Sequence, residues 1–106
     1  MSPTEKNPSV FGSPDIDRVI HEPARLAIMA VLNAFETADF TFLLKQTELS
    51  RGNLSSHLSK LEGAKYVDIA KEFVDKVPRT LIRLTDRGRS AIQIYRNEMN
   101  DILSRL

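Results

Sequence analysis

The sequence of 106 residues contains no cysteine and no tryptophan. Without cysteine the chain cannot form disulfides or thiolate metal sites. Its two histidines, His21 and His57, stand far apart and lack the spacing of metal ligands. No apolar run is long enough to span a bilayer, and no signal peptide follows Met1. We therefore expect a cytoplasmic protein with no membrane partner, no metal and no cofactor.

The chain also lacks the usual signatures of an enzyme active site. No nucleophile stands in a recognisable pattern with a base, and no pair of acidic residues has a catalytic motif around it. With four glycines in all, the chain has no glycine-rich phosphate loop. The sequence therefore predicts a protein that is not an enzyme and has no catalytic residues.

The charged residues that are present are unevenly distributed. The net charge is only +1, and the apolar share of 42% is that of one ordinary globular domain. Residues 1–50 hold four basic against seven acidic side chains, whereas residues 51–89 hold nine basic against five acidic. A basic excess confined to one part of a domain is typical of a nucleic-acid footprint.

The chain begins with a segment that differs in composition from the rest. Three prolines and a glycine predict a flexible tail at residues 1–14, followed by one folded domain at residues 15–106. The apolar spacing of residues 16–20 predicts a first short helix, opened by Asp15 or Asp17 and interrupted before the next helix.

Two further helices are expected in the first half of the domain. A broad apolar face at residues 23–35 predicts the central core helix, and residues 36–39 then read as a loop. Phe40 is predicted to form an isolated β-bridge. Thr41 is a suitable cap for a short helix at residues 41–47.

The next segment combines a buried stripe with an unusual polar face. After a tight turn at residues 48–49, Ser50 is a suitable N-cap, and Leu54, Leu58 and Leu61 fall on one helix face. The other face carries small polar residues instead of the long charged residues that favour helices. Two short helices joined by a tight turn predict a helix-turn-helix. The polar face fits the major groove of DNA, and the alternative is a poorly optimised solvated surface.

A β-hairpin is predicted to follow this helix. Residues 66–72 alternate as a strand with one buried side, and residues 80–84 form a second apolar strand. The intervening residues 73–79 read as a loop whose tip carries Lys76 and Arg79.

The last helix is predicted at residues 86–106, with Thr85 as its N-cap. Apolar residues repeat along it at spacings of three and four, at Ile92, Tyr95, Met99, Ile102 and Leu106. Such a stripe can pack against the first helical segment of the same chain or against a second subunit. We favour the second arrangement and expect a homodimer.

This order of elements resembles a winged helix-turn-helix domain. The run from Leu54 to Glu62, followed by Gly63, is similar to the recognition helix of MarR-like and ArsR-like transcriptional regulators. The run from Leu84 to Arg89 resembles the L-T-x-x-G pattern that closes the wing in those families. The resemblance covers residues 16–106. It implies a mainly α fold with a small β-hairpin (α+β): a three-helix core, a wing and a C-terminal dimerisation helix.

The resemblance also implies sequence-specific binding to double-stranded DNA and transcriptional regulation. ArsR-like metal sensors carry cysteines or clustered histidines, which this chain lacks, and no effector pocket is evident in the sequence. The serious alternative is a winged helix used for protein–protein binding in a larger complex. That alternative should expose apolar or acidic groups on the recognition helix, whereas this chain has small polar groups there.

In the DNA-binding reading the helix at residues 51–64 enters the major groove. The predicted DNA-binding residues of this helix are Arg51, Gly52, Asn53, Ser55, Ser56, Ser59 and Lys60. Those of the wing and its flanks are Lys76, Arg79 and Arg83. His57 lies at the margin of the leucine stripe, where it either packs or contacts a phosphate. Arg83, Arg87 and Arg89 could add contacts to the DNA backbone. The alternatives for these arginines are surface solubility and pairing with Asp68, Glu72 or Asp86.

Overall fold

The computed structural model describes residues 16–106, which form four α-helices and one three-stranded antiparallel sheet. In chain order the elements are α1 (Pro23–Phe35), β1 (Thr37–Asp39), α2 (Phe40–Thr47), α3 (Arg51–Gly63), β2 (Val67–Val74), β3 (Val77–Leu84) and α4 (Asp86–Leu103). This architecture confirms the predicted winged helix fold. The tail predicted at residues 1–14, and Asp15 as a helix start, lie outside the described residues.

A single hydrophobic core joins all four helices to the sheet. Its largest fully buried side chains are Ile20, Ile28, Met29, Leu32, Leu43, Leu54, Leu61, Ile82 and Val67. Helix α4 adds Ile92 and Tyr95 to this core. Because every element contributes to one core, the orientation of α3 and of the wing is fixed by the same packing.

Side-chain oxygens cap α2, α3 and α4, as expected, but the capping residue of α2 differs from the predicted one. Ser50 accepts from the backbone N–H of Asn53 at the start of α3, and Thr85 caps α4. For α2 the cap is Asp39, which accepts from the Phe42 N–H at 2.7 Å, and the prediction of Thr41 is wrong. Asp is at least as good a cap as Thr, and here its backbone is already extended.

Residues 36–39 do not form the predicted loop. Residues 37–39 form β1, which pairs with β3 in the register Thr37↔Arg83 to Asp39↔Leu81. Phe40, the predicted bridge residue, instead begins α2. A strand of three residues is too short to show alternation, and its partner lies far along the chain, so no local pattern could reveal it.

The predicted helix at residues 16–20 is replaced by a turn. The carboxylate of Asp17 accepts hydrogen bonds from the backbone N–H groups of Val19 and Ile20, at 2.9 and 3.2 Å. The chain cannot continue as a helix because Glu22 precedes Pro23 and is extended, with φ −154° and ψ 129°. Ile20 is nevertheless fully buried in the chain's own core, with Ile16 and Val19 packed against it.

The predicted loop at residues 73–79 is also wrong, because both strands extend further. Strands β2 and β3 pair from Val67↔Leu84 to Val74↔Val77, and a two-residue turn joins them. Asp75 and Lys76 have φ values of 52° and 68°, as a type I′ hairpin turn requires. Pro78 is tolerated because β1 covers β3 only at residues 81–83 and leaves one edge of β3 free beyond them.

The helix ends differ slightly from those predicted. Helix α3 ends at Gly63, one residue earlier than expected, and α4 ends at Leu103 with Ser104 as its C-cap. Between α2 and α3, Glu48 takes a left-handed conformation with φ 58°. This residue makes the sharp bend of the helix-turn-helix, as predicted for residues 48–49.

Candidate nucleic-acid interface

Helix α3 presents its small polar side chains outward because its leucines are locked in the core. Leu54 and Leu61 are fully buried and Leu58 is almost so. The exposed residues of the helix include all seven predicted DNA-binding positions, namely Arg51, Gly52, Asn53, Ser55, Ser56, Ser59 and Lys60. The structure therefore brings the predicted recognition residues together on one accessible face.

A groove separates one flank of α3 from the sheet. Ser55 and Ser59 of α3 line it on one side, and Lys71 and Thr80 of the hairpin line it on the other. The guanidinium of Arg51 lies 5.5 Å from the centre of the Phe40 ring, which holds this cation at the end of the groove. The groove has a volume of about 350 Å³ and is open to solvent, so it is a surface feature and not an enclosed ligand cavity.

Lys71 lines this groove, and the site prediction missed it. It stands on the same sheet face as Val67 and Ile69, which are turned towards the core. The alternation of β2 already placed Lys71 on that face in the sequence. A charged residue on the core-facing side of a strand, past the end of the core, is the signal that could have identified it.

The three predicted wing residues occupy different places. Lys76 lies at the tip of the hairpin and is exposed. Arg79 lies away from the tip, contrary to prediction, and donates to the Asp39 carboxylate at 3.0 Å. Arg83 lies on the sheet face away from α3, 3.6 Å from the Asp68 carboxylate. The Arg83 pair is exposed on both sides and is therefore weak and exchangeable, whereas Asp39 is half-buried.

A polar cluster supports α3 from behind. The Arg25 guanidinium donates to His57 Nδ1 at 3.1 Å, and its Nε donates to the Val19 carbonyl at 2.6 Å. Since arginine can only donate, Nδ1 of His57 is the acceptor and its ring proton sits on Nε2. The structure thus gives His57 a packing role, in which it joins α3 to the start of α1. Arg25 was not singled out by the sequence, and no local pattern identified it.

The carboxylate of Glu22 joins this cluster at the N-terminus of α1. Glu22 caps the helix by accepting from the backbone N–H of Arg25 at 2.8 Å. That hydrogen bond, aided by the positive charge of Arg25, lowers the pKa of Glu22. Its carboxylate also lies 3.9 Å from His57 Nδ1. The cap and the support of α3 therefore share Arg25, whose backbone N–H donates to Glu22 and whose guanidinium donates to His57.

A second polar contact ties the segment before α1 to the base of the wing. The hydroxyl of Tyr66 donates to the carboxylate of Asp17. Burial, together with this hydrogen bond, raises the pKa of Tyr66 to about 12. The Tyr66 carbonyl in turn accepts from the Thr85 N–H at 3.0 Å. These contacts fix the junction at which the wing returns to α4.

The close approach at this junction depends on Gly88. A Cβ atom at this position would overlap the Tyr66 carbonyl oxygen and lie 2.8 Å from Leu84 Cδ1. The glycine of the L-T-x-x-G run is therefore required by packing between α4 and the chain before β2. Its role is to position the wing.

The stripe of α4 divides between the core and the surface. Ile92 and Tyr95 are buried within the chain, and Met99 packs against the same core. Ile102 is half-buried, whereas Leu106 is 80% exposed. Leu103, which the sequence analysis did not select, is 55% exposed. The dimer interface predicted at these residues stays a prediction, and it has its exposed apolar surface in the C-terminal part of the stripe.

Other kinds of site are not formed by the part of the chain that the structure describes. Within residues 16–106 no three histidine, cysteine or acidic side chains come together as metal ligands. Over the same range no helix is long and apolar enough to cross a membrane.

A helix-turn-helix whose second helix is exposed, followed by a β-hairpin and a closing helix, defines a winged helix protein. Residues 24–103 match the family model of a winged helix DNA-binding domain. The chain belongs to that family, which confirms the resemblance on which the sequence prediction rested.

Individual proteins are also similar to this chain. An uncharacterised protein of Methanocaldococcus jannaschii is 32% identical over 78 residues, which cover 74% of this chain and 85% of that protein. A transcriptional regulator homologue of Pyrococcus horikoshii OT3 superposes with a TM-score of 0.77 at 30% identity, covering 81% of this chain and 85% of that one. A MarR family regulator of Silicibacter pomeroyi gives a TM-score of 0.60 at 20% identity, over 81% and 55% of the two chains. This last likeness concerns the fold alone.

Proposed function

We propose that this protein is a homodimeric transcriptional regulator that binds double-stranded DNA sequence-specifically. The observation that carries the proposal is the exposed face of α3. Three buried leucines anchor the helix so that its small polar groups are exposed, and a groove lined by Lys71, with Arg51 at its end, runs beside them. Family membership supports DNA as the partner.

Helix α3 is the element assigned to the major groove. Asn53 is assigned to a base edge, since an asparagine amide bonds adenine in a bidentate manner. Ser55, Ser56 and Ser59 are short enough for the helix to approach closely, as is Gly52. Arg51 and Lys60 flank this face and are assigned to phosphates, with guanine a second possible partner for Arg51.

The wing is assigned to the DNA backbone or the minor groove beside the α3 site. Lys76 at its tip contacts phosphates in this arrangement. Arg79 and Arg83 can join it only by exchanging their carboxylate partners for phosphates. This costs little for the exposed Arg83–Asp68 pair and more for Arg79, whose partner Asp39 is half-buried. We therefore expect Lys76 to contribute more to binding than either arginine.

Dimerisation is assigned to the end of α4 and the residues that follow it. Ile102, Leu103 and Leu106 continue the stripe of Ile92 and Tyr95 beyond the chain's own core. A two-fold axis at this patch would present two copies of α3 to two half-sites about one helical turn apart. The operator would then be nearly palindromic.

A selection of bound sequences from a random duplex library tests this function. We expect enrichment of an inverted repeat, and an affinity for it that falls steeply as salt rises. If no duplex is retained even at low salt, the regulator proposal is wrong. A winged helix used for protein–protein binding would give that result.

A further inference from the structure

The outer half of the wing is unexpectedly apolar. Phe73, Val74 and Val77 are all exposed, and the Phe73 side chain is 77% accessible to solvent. A hairpin end that contacts only water usually carries polar residues, because exposing an aromatic ring to water is unfavourable and burying it lowers the free energy. This exposed ring is not used by the interface described so far.

The register of the hairpin shows to which side Phe73 points. Phe73 pairs with Pro78, and Lys71 pairs with Thr80, on the sheet face that continues from buried Ile82. Val74 and Val77 are on the opposite face. Phe73 therefore projects on the same side as the groove between α3 and the wing.

Lysines stand beside Phe73 on the α3 side and at the tip, whereas Glu72 lies on the opposite sheet face and Asp75 in the turn. Lys71 precedes Phe73 on the same face and Lys76 lies at the tip, and neither lysine forms an ion pair within residues 16–106. On the partner surface, the two ammonium groups would contact phosphates, and the aromatic ring would contact the sugars and bases that lie between two rows of phosphates. The minor groove of DNA has this arrangement.

The length of the hairpin also suits this partner. Ile69 is the last partly buried residue of β2, and Phe73 stands four residues beyond it. At about 3.3 Å per residue the ring is carried about 13 Å past the core. This reach is close to the major-groove width of about 12 Å, so a wing beside α3 would arrive at the neighbouring minor groove.

We infer that Phe73 enters this minor groove as an apolar wedge and reads the deformability of the flanking base steps. The inference rests on the proposed function. Pyrimidine–purine steps unstack most easily, so they should be preferred at the position that the wing reaches. Phe73 is then a specificity determinant that makes no hydrogen bond to a base.

The test compares Phe73→Ala with the matched control Val77→Ala, in the full chain and on the sequence that the wild type selects. Both side chains are exposed beside the wing tip, but only Phe73 is on the α3 side. We expect Phe73→Ala to weaken binding about tenfold, as loss of one buried aromatic ring implies. The slope of log affinity against log salt should not change, because no phosphate contact is lost. Val77→Ala should bind like the wild type.

Two further measurements separate a wedge from a general effect. A repeated selection with Phe73→Ala should lose the preference for flexible flanking steps and keep the α3 half-sites. 2-Aminopurine placed at the flanking step should brighten when the wild type binds and stay dark with the variant. Circular dichroism checks that both variants are folded.

Phe73→Ala that binds with wild-type affinity and unchanged flanking preference would overturn the inference. So would a variant that sediments as a different oligomer, since Phe73 would then be a contact between copies. If the wild type itself binds no duplex, it is the proposed function that fails.

Discussion

Asn53 is the single residue on which sequence preference should depend most. Its side chain is exposed on α3, and its backbone N–H is held by the Ser50 cap, so the amide is presented from a fixed helix start. We expect Asn53→Ala to lose about 1–3 kcal/mol of discrimination at one base pair of each half-site. Competition between the selected duplex and single-base variants measures this loss.

Lys60→Ala is the control for Asn53, because it removes a predicted phosphate contact from the same exposed face. It should weaken binding to all duplexes alike and reduce the salt slope by about 0.9 per subunit. An Asn53→Ala protein whose base preference matches the wild type would remove Asn53 from the set of base-reading residues.

Gly88 offers a test of stability that is independent of DNA. Gly88→Ala places a methyl group against the Tyr66 carbonyl oxygen and Leu84, so the start of α4 must shift. We expect a loss of about 1–3 kcal/mol in the free energy of unfolding, measured with urea. Gly63→Ala is the control, because nothing lies within 4 Å of its Cβ position. It should raise stability by about 0.5–1 kcal/mol, as Ala favours helix over Gly.

The raised pKa of Tyr66 leads to a prediction of how the free energy of unfolding changes at alkaline pH. Its pKa rises from 10.0 to about 12 on folding, chiefly through burial. A raised pKa means that the folded state holds the proton more tightly, so the stabilisation is complete below about pH 10 and disappears by about pH 12. Urea unfolding across this range should show a fall for the wild type, and Tyr66→Phe should reduce it. An identical fall in both proteins would assign the effect to other groups, such as Tyr95, whose pKa burial also raises.

At the scale of elements, Lys76 in the wing turn has a strained backbone but carries a charge that is expected to favour DNA binding. Lys76 has φ 68°, in a region that costs an L-residue about 1–2 kcal/mol and costs glycine almost nothing. We expect Lys76→Gly to stabilise the fold by about 1 kcal/mol and to weaken DNA binding. Lys76→Ala should weaken binding equally without the gain in stability. Urea unfolding and salt-dependent binding of both variants measure the two effects, and equal stability of the variants would contradict the argument.

The elements differ in how far they could be predicted from the sequence. Helices α1 and α3 and the cap of α4 follow from apolar spacing and capping residues within the element itself. Strand β1 and the full length of the wing depend on partners elsewhere. Residues 37–39 pair with β3, and across the turn Phe73 pairs with Pro78 and Val74 with Val77. Without knowledge of that pairing, the sequence around Pro78 predicts a loop.

The candidate site shows the same division. The exposed face of α3 follows from three leucines at regular spacing, so its residues were predictable as a set. The support of that face by Arg25 and His57 depends on how α1 packs against α3, which no spacing along the chain reveals. Arg79 was placed at the wing tip only because the hairpin turn was expected to be longer.

At the scale of the whole molecule, the structure narrows the predicted dimer interface. Ile92 and Tyr95 are engaged in the chain's own core, so only the stripe beyond Met99 has surface to share. A substitution at Met99 would disturb the core as well as the interface. Leu103 is the better site for a test, because it is exposed and lies on the same side of α4 as Ile92 and Met99 at about 100° per residue.

We expect Leu103→Asp to convert the dimer into a folded monomer, since two aspartates would face each other across the two-fold axis. Ile94→Asp is the matched control: Ile94 is similarly exposed, at 59% against 55%, but lies on the opposite side of the same helix. Sedimentation should show a dimer for the control and a monomer for Leu103→Asp. The monomer should still bind a single half-site, while its affinity for the inverted repeat falls to near the half-site value because the second contact is no longer intramolecular. A Leu103→Asp protein that remains dimeric would place the interface elsewhere than at the end of α4 and in the residues that follow it.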